Sequence, residues 1–551
     1  MPQKMNRIRY ALVMAALGVT GHALAQPAAP LQGGTVPRPV ESNPAVVPLT
    51  PAGTKPAAVA KGGATVKVTS VAVTGNQSIS TDALVASLGD FKDKSYDLAG
   101  LTELAAKMQT YYRAQGYPFA QVFLPAQSLT DGKLQIQVLE ARYAAIRAAG
   151  KDDLPSGAQP FLDYGLKSGD PIENKALERT LLILDDQPGI GVTPVLSPGP
   201  KQGDSDLTVT VVRETHFSGD VGFDNVGAPS TGEYRLRGLL NVDSPFRFGD
   251  RIVVNLLTTN EQMWLGSVDY DAPIGGSGLR GLIGYAYTNY QLGRQFASLD
   301  AVGYAKVATL RLSYPIVRSQ ATNVLGSIGY QNKQLQDDYR SVSVLRDKSS
   351  NLIPVSLQFD HRDRFGGGGI TYGLVSFVHG SLKLDAAGRA IDSATAQTEG
   401  SFNKITMDVA RIQSLFGNFS AYGRYSAQWA SKNLDSSEKF NLGGYYGVRS
   451  YSLGEGSGDK GWLAQLELRY DMGGVTPFAF YDIGKSDANV DPWDAASASS
   501  RKIAGPGFGV RSLFGKWSAD ATISWRSTGG KATADDRDRD PRIFFMLARR
   551  I

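Results

Sequence analysis

The residue types that usually carry chemistry are sparse or scattered in this chain. It has no cysteine, which excludes disulfide scaffolds and cysteine-ligated zinc or iron–sulfur sites. Past the N-terminal segment its histidines are His216, His361 and His379, too dispersed to read as a metal site. His379-Gly380-Ser381 would set a base and a hydroxyl on one face of a strand, but the flanking pattern of a hydrolase is missing. A lumen or surface histidine is the simpler reading, and catalysis is not expected. No Walker A or zinc-protease pattern occurs. Gly505, Gly507 and Gly509 alternate along a strand and read as room for a close loop or a bend, not as a phosphate cradle. The expectation is a protein with no catalytic site, metal or cofactor.

The most specific chemistry is a possible charge pair. Residues 444–460 read Gly-Tyr-Tyr-Gly-Val-Arg-Ser-Tyr-Ser-Leu-Gly-Glu-Gly-Ser-Gly-Asp-Lys, an apolar and aromatic start that is odd for a solvated loop. A buried loop needs a partner for Arg449. Downstream, Asp482 shares strand parity with Phe478, Phe480 and Gly484, so it faces inward if Ala479, Tyr481 and Ile483 face outward. The loop then folds back and Arg449 pairs with Asp482. From the residues alone, an exposed loop with an unrelated inward carboxylate stays open as the alternative.

Such a pair needs a barrel around it, and residues 216–551 have the pattern of one. Trp462, Ala464, Leu466, Leu468 and Tyr470 alternate with Gln465, Glu467, Arg469 and Asp471. Similar alternation marks 418–429 and 517–526. A soluble sandwich alternates too, so connection lengths decide. Sixteen strands start near 219, 234, 251, 263, 280, 303, 323, 351, 370, 402, 418, 461, 475, 503, 517 and 541. Links after even-numbered strands are short, as at Gly473-Gly474, Gly515-Lys516 and 415–417. Those after odd-numbered strands are mostly long, at about 335–350, 386–400, 432–460, 486–501 and 528–540. Long loops on one rim and short turns on the other mark an outer-membrane barrel. Tyr270, Trp429, Trp462, Trp517 and Trp525 near strand ends suit interfacial girdles. Helical signal disappears after about His216.

Upstream, Lys4, Arg7 and Arg9 precede an apolar core and Ala23-Leu24-Ala25, which reads as a signal peptide over 1–25. Residues 26–65 form a Pro/Ala-rich linker. Two α+β units follow, 66–141 and 142–215. In the first, Val66–Val73 is a strand, Ser80 caps a short helix, Asp97 opens a longer one ending at Gly116, and 119–124 and 134–139 are strands. In the second, Tyr143–Ala148 is a strand and a weak helix follows. Asp170-Pro171 opens a further helix, Pro188-Gly189 ends it, and 192–196 and 207–212 are strands.

Composition alone conceals this. Apolar residues make up 42% and charged ones 20%, and the formal charge is +5. Removing the three cations of 1–25, which has no acid, leaves +2, so nucleic acid is not an expected partner. No run of eighteen apolar residues occurs, which excludes helical spans but not a barrel.

These residues resemble a family. Val448-Arg449-Ser450-Tyr451 is similar to the Val-Arg-Gly-Tyr/Phe loop motif of the BamA-like outer-membrane superfamily, and Phe480-Tyr481-Asp482-Ile483-Gly484 to its Phe-x-Asp-x-Gly strand motif. Two units before sixteen strands resemble the POTRA arm and barrel of its two-partner secretion branch, the TpsB transporters. Local similarity extends through Val73-Thr74-Gly75-Asn76, Leu124-Pro125-Ala126-Gln127, Leu181-Leu182-Ile183-Leu184 and Phe223-Asp224-Asn225. The resemblance implies a barrel in the cell outer membrane with POTRA domains in the periplasm, which secretes a TpsA-type adhesin, haemolysin or related exoprotein without ATP. Arg449 and Asp482 would anchor the inward loop, with Phe480 and Gly484 in the strand motif. Arg235, Arg237, Glu467 and Arg469 would line the lumen. Outer-membrane lipid, periplasmic chaperones and the barrel assembly machinery are the other implied partners. The rival reading is an outer-membrane protein assembly factor, for which larger POTRA arms are usual. Two departures stand out. Ser450 replaces the usual Gly and would be strained at positive φ, and 26–63 does not resemble the family's pore-plugging helix.

Overall fold

A computed structural model describes residues 61–129 and 131–551. The expected signal peptide, and the linker as far as residue 60, lie outside the described residues.

The first module contains β1 (Val66–Val68), β2 (Ser70–Thr74), α1 (Thr81–Ala86), β3 (Lys94–Tyr96), α2 (Leu98–Ala114), β4 (Gln121–Phe123) and β5 (Lys133–Leu139). Asp97 caps α2 by accepting the Gly100 N–H at 2.8 Å, and Gly116 at φ +95° follows its last turn. Leu101, Leu104, Ala105, Met108 and Tyr112 line one face of α2 and pack on Leu134, Ile136 and Val138 of β5. The run 66–73 is two strands, not one. At Thr69 the chain leaves its partner β3 and joins β5, and the Thr69 N–H donates to Gly132 O at 2.8 Å.

The second module contains β6 (Arg142–Gly150), α3 (Leu154–Gly165), α4 (Asn174–Asp185), β7 (Ile190–Pro198) and β8 (Asp204–Arg213). Here α4 opens at Asn174, later than the Asp170-Pro171 start. Pro171 bridges to Arg142 and the Ile172 N–H donates to Ala141 O at 2.9 Å, so these residues extend the sheet before the helix begins. Where the modules meet, buried Glu140 pairs with Arg142 of β6 at 3.2 Å. It accepts N–H groups of Gln77 and Ser78, both at 2.8 Å, and the Tyr112 hydroxyl at 3.0 Å. Burial alone would raise the Glu140 carboxyl, but those donors hold it below its ordinary value.

From β9 (Phe217–Asp224) to β24 (Arg542–Arg550), sixteen antiparallel strands close into a barrel. Leu236, Leu240, Leu256, Val268, Ile283 and Leu310 stand exposed on its outer face, while their charged neighbours turn into the lumen. The short rim carries the turns 244–250, 274–279, 319–321, 364–368, 415–418, 471–474 and 515–516.

Two expectations on the long rim are corrected. The expected loop at 335–350 is mostly strand. β15 (Thr322–Tyr339) and β16 (Val344–Asp363) pair through it and only 340–343 connect them. Gln334, Gln336 and Lys348 break the apolar alternation there while the backbone ladder continues. The connection 385–399 also holds a short helix, α5 (Ala386–Asp392), capped by Asp385, so helix does not vanish after His216. The wall is uneven. β14 (Ala301–Arg318), β15, β16 and β17 (Gly369–Leu384) have 18, 18, 20 and 16 residues. β9, β10 (Arg235–Asp243), β11 (Arg251–Thr259) and β12 (Trp264–Pro273) have 8, 9, 9 and 10.

The second module is docked on the short rim. Arg318 at the end of β14 grips both oxygens of Asp186 at 2.6 Å. Arg280 donates to Gln187 Oε1 at 2.7 Å, and the Gln320 N–H to Glu178 Oε1 at 2.7 Å. Phe248, from the turn 244–250, packs against the module's core. A Cβ on Gly157 would lie 2.5 Å from its ring, so only glycine permits that approach.

Candidate functional site: a hairpin anchored inside the barrel

The connection 431–459 turns back into the lumen as a hairpin. Its neck is the pairing of Phe440 with Gly458, supported by a Lys439–Asp459 ion pair at 2.6 Å. Its tip is Val448-Arg449-Ser450-Tyr451. Val448 and Tyr451 are fully buried and pack with Leu442, Leu463 and Ile503.

Arg449 is only 2% exposed. Its Nε and Nη2 each donate to Asp482 at 2.8 Å, its Nη1 to Glu467 Oε1 at 2.6 Å, and its main-chain N–H to Asp482 Oδ2 at 3.1 Å. The guanidinium lies 3.5 Å from the centre of the Phe480 ring. Both carboxylates belong to the barrel wall, Glu467 to β20 (Lys460–Tyr470) and Asp482 to β21 (Val475–Asp487). Ser524 of β23 (Trp517–Ser524) donates to the Arg449 carbonyl at 2.7 Å. A cation buried this deeply is stable only when it is paired and hydrogen-bonded, and here each guanidinium nitrogen has a carboxylate partner.

The rest of the motif fits around that cation. Ser450 is not at positive φ, so the expected strain is absent. Its Oγ lies 3.5 Å from Ala504 O and faces Gly505, where a Cβ would stand 2.3 Å from that Oγ. The Tyr451 hydroxyl is 2.8 Å from the carbonyls of Thr528 and Gly530. Gly484 leaves space for Leu442, since a Cβ there would meet it at 2.7 Å. Gly507 and Gly509 lie under the rings of Phe480 and Phe478. The three alternating glycines therefore make room for one loop residue and two rings.

The four charged lumen residues are not an open row. Glu467 joins Arg449, Arg469 and Arg511. Arg469 also stacks on Tyr422 at 4.2 Å. Arg235 and Arg237 lie apart, against Asp224 and Asp220 near the seam between β24 and β9. Arg511 and Ser524 were missed from the sequence. Arg511 shares the parity of Gly505, Gly507 and Gly509, and Ser524 the parity of Asp520 and Thr522, so strand parity was the usable signal. His216, His361 and His379 bond separately to the Asp243 carbonyl, Thr322 and Asn403. Among the described residues no cluster is arranged to hold a metal.

The family model for haemolysin secretion/activation proteins of the ShlB/FhaC/HecB type matches residues 203–512, and that of the ShlB-type POTRA domain matches 66–141. The chain belongs to this family. It is an outer-membrane transporter of the TpsB type that secretes a partner exoprotein, with its POTRA domains in the periplasm. The chain is similar to the heme/hemopexin transporter protein HuxB of Haemophilus influenzae, 27% identical over 417 residues, covering 74% of each chain. It is 28% identical over 499 residues to the outer membrane transporter CdiB of Escherichia coli, covering 83% of this chain and 81% of that one. Solved structures share the fold, among them one from Escherichia coli and one from Haemophilus ducreyi. CdiB from Escherichia coli has a TM-score of 0.71 at 20% identity and covers 100% of this chain and 98% of its own. BamA from Haemophilus ducreyi lacking POTRA domains 1–3 has 0.51 at 13%, covering 88% and 100%. The short rim of this TpsB transporter is accordingly periplasmic and the long rim faces the medium.

Proposed function

We propose that this transporter receives an unfolded TpsA-type partner, an adhesin, haemolysin or related exoprotein, at its POTRA domains and passes it through the barrel lumen. Residues 1–25 serve as the export signal. The partner arrives with unpaired backbone groups, and an edge of a POTRA sheet can pair with them as an added strand. The polar lumen supplies water and hydrogen bonds to an extended chain. Folding outside disfavours return, so the cycle needs no nucleotide, and no catalytic step is assigned to the protein.

The observation that carries this reading is the hairpin anchored at Arg449 above a POTRA module fixed to the periplasmic rim. A receptor held beneath the pore and a segment that occupies the pore are what a gated conduit requires. Lipid surrounds the barrel, and chaperones with the assembly machinery serve its biogenesis. An assembly factor is the second reading, and the matched family favours the transporter. Deleting the gene should abolish release of the partner into the medium, and unchanged release would overturn the proposal.

A further inference from the structure

Besides Arg449, and the buried Glu455 that pairs with Arg501 at 2.6 Å, the hairpin is attached on a different part of the wall. Just before the neck, Asp435 caps the short turn Ser436–Glu438, and Glu438 ends it. Lys333 of β15 meets Glu438 Oε1 at 2.6 Å, and Lys404 of β18 (Gly400–Ser414) meets Oε2 at 2.8 Å. Lys348 of β16 meets Asp435 at 2.9 Å and lies 3.9 Å from Asp337. Gln428 of β19 (Phe419–Ala430) donates to the carbonyls of Glu438 and Asp459, both at 3.0 Å. Three ammonium groups from the outer halves of their strands thus face three carboxylates, two of them on the hairpin.

This attachment differs in kind from that at Arg449. At Arg449 a planar guanidinium makes a two-pronged contact with Asp482, reaches a second carboxylate and stacks on a ring, and its backbone is held as well. Such a contact has one geometry and is lost all at once. The lysines are point charges on flexible stems, without the fixed two-pronged geometry of a guanidinium, although Lys404 also donates to the Glu438 carbonyl at 3.1 Å. The lysine side chains are 6–13% exposed and Asp435 12%, against 2% for Arg449 and 0% for Asp482, while Glu438 at 3% is as enclosed as Glu467. On release, each ammonium and carboxylate regains water, which offsets most of the lost pairing.

We propose that Lys333, Lys348 and Lys404, with Glu438 and Asp435, form a releasable latch that closes the outer mouth, and that the hairpin opens at this latch while Arg449 stays seated as the pivot. This rests on the reading of the barrel as a conduit, but its test does not need the secreted partner. Ser436 is 8% exposed, and the chain has no cysteine, so S436C supplies its only thiol. The purified full-length protein in vesicles is exposed to a membrane-impermeant maleimide, and its conductance is measured in planar bilayers. Heat-modifiable mobility verifies that each barrel is folded.

In the S436C background, E438Q should speed labelling about tenfold, the ratio given by a loss of ~1.4 kcal/mol, and should raise conductance. The neutral pair K333M/E438Q should do the same without leaving Lys333 uncompensated, and K348M should act more weakly in the same direction. Folded E438Q and K333M/E438Q barrels that label and conduct like the parent would overturn the latch. So would release of the turn by R449A alone. Because no partner is present, failure here leaves the conduit reading standing, and loss of secretion without release of the turn would not rescue the latch.

Discussion

Asp482 holds Arg449 twice, by both carboxylate oxygens on the guanidinium and by Oδ2 on the main-chain N–H at 3.1 Å. The second contact fixes where the chain runs, not only where the side chain points. The position of the hairpin tip is therefore set by β21, and a substitution in either residue changes both.

Replacing Arg449 by Ala should cut secretion at least tenfold while the barrel still inserts. It leaves Asp482 buried and uncompensated, a penalty of about 3–5 kcal/mol. Arg449→Lys should recover only part of the loss, because an ammonium cannot reach Asp482 with two donors and Glu467 with a third. Partner protein in the medium, compared across the three forms at equal barrel abundance, checks this. Wild-type secretion by Arg449→Ala would refute the anchor.

Gly484→Ala should unseat the hairpin. The added Cβ would lie 2.7 Å from Leu442 and 2.8 Å from the Trp462 carbonyl, and the carbonyl cannot turn aside without breaking the β20–β21 ladder. Overpacking of this kind costs about 1–3 kcal/mol. Gly238→Ala, with nothing within 4 Å of the new Cβ, is the matched control and should behave as the parent. Channel conductance of the two variants distinguishes them.

At the POTRA dock, Asp186→Ala should be worse than Arg318→Ala. Arg318 is the buried partner, with a side chain 3% exposed against 36% for Asp186. Removing the acid strands the cation inside, whereas removing the cation lets the acid meet water. The difference should be about 1–3 kcal/mol, read as faster protease cleavage of the periplasmic arm in Asp186→Ala.

The junction between the modules should loosen in acid. Glu140 has a folded pKa below its unfolded value of 4.5, so its contribution is complete above that value and is lost as pH falls through the lower, folded one. Hydrogen exchange at the Gln77 and Ser78 amides should accelerate over that range. In Glu140→Gln the exchange should already be fast at neutral pH, with no such transition.

Much of the barrel was legible because lipid demands strict alternation. Strand parity alone sets Asp482 on the lumen side with Phe478 and Phe480. What lies beyond the lipid was not legible. The outer halves of β15 and β16 carry polar residues on both faces, and nothing in their pattern distinguishes a projecting hairpin from a loop. The second counter-ion of Arg449 was hidden for a related reason. Parity places Glu467 in the lumen, but its convergence with Asp482 depends on the register of β20 on β21, where Glu467 pairs with Phe480. Helix α4 was placed too early because Pro171 fits a helix start as well as it fits the bridge it makes.

The uneven strand lengths give the transporter a lopsided outer profile. At ~3.4 Å per residue and a tilt near 40°, a strand of eighteen residues climbs ~45 Å, while the apolar band is ~25 Å tall. The sector from β14 to β17 thus stands as a parapet ~20 Å above the lipid, and the sector from β9 to β12 ends near the membrane surface. A polypeptide leaving this mouth has a backstop on one flank and open medium on the other.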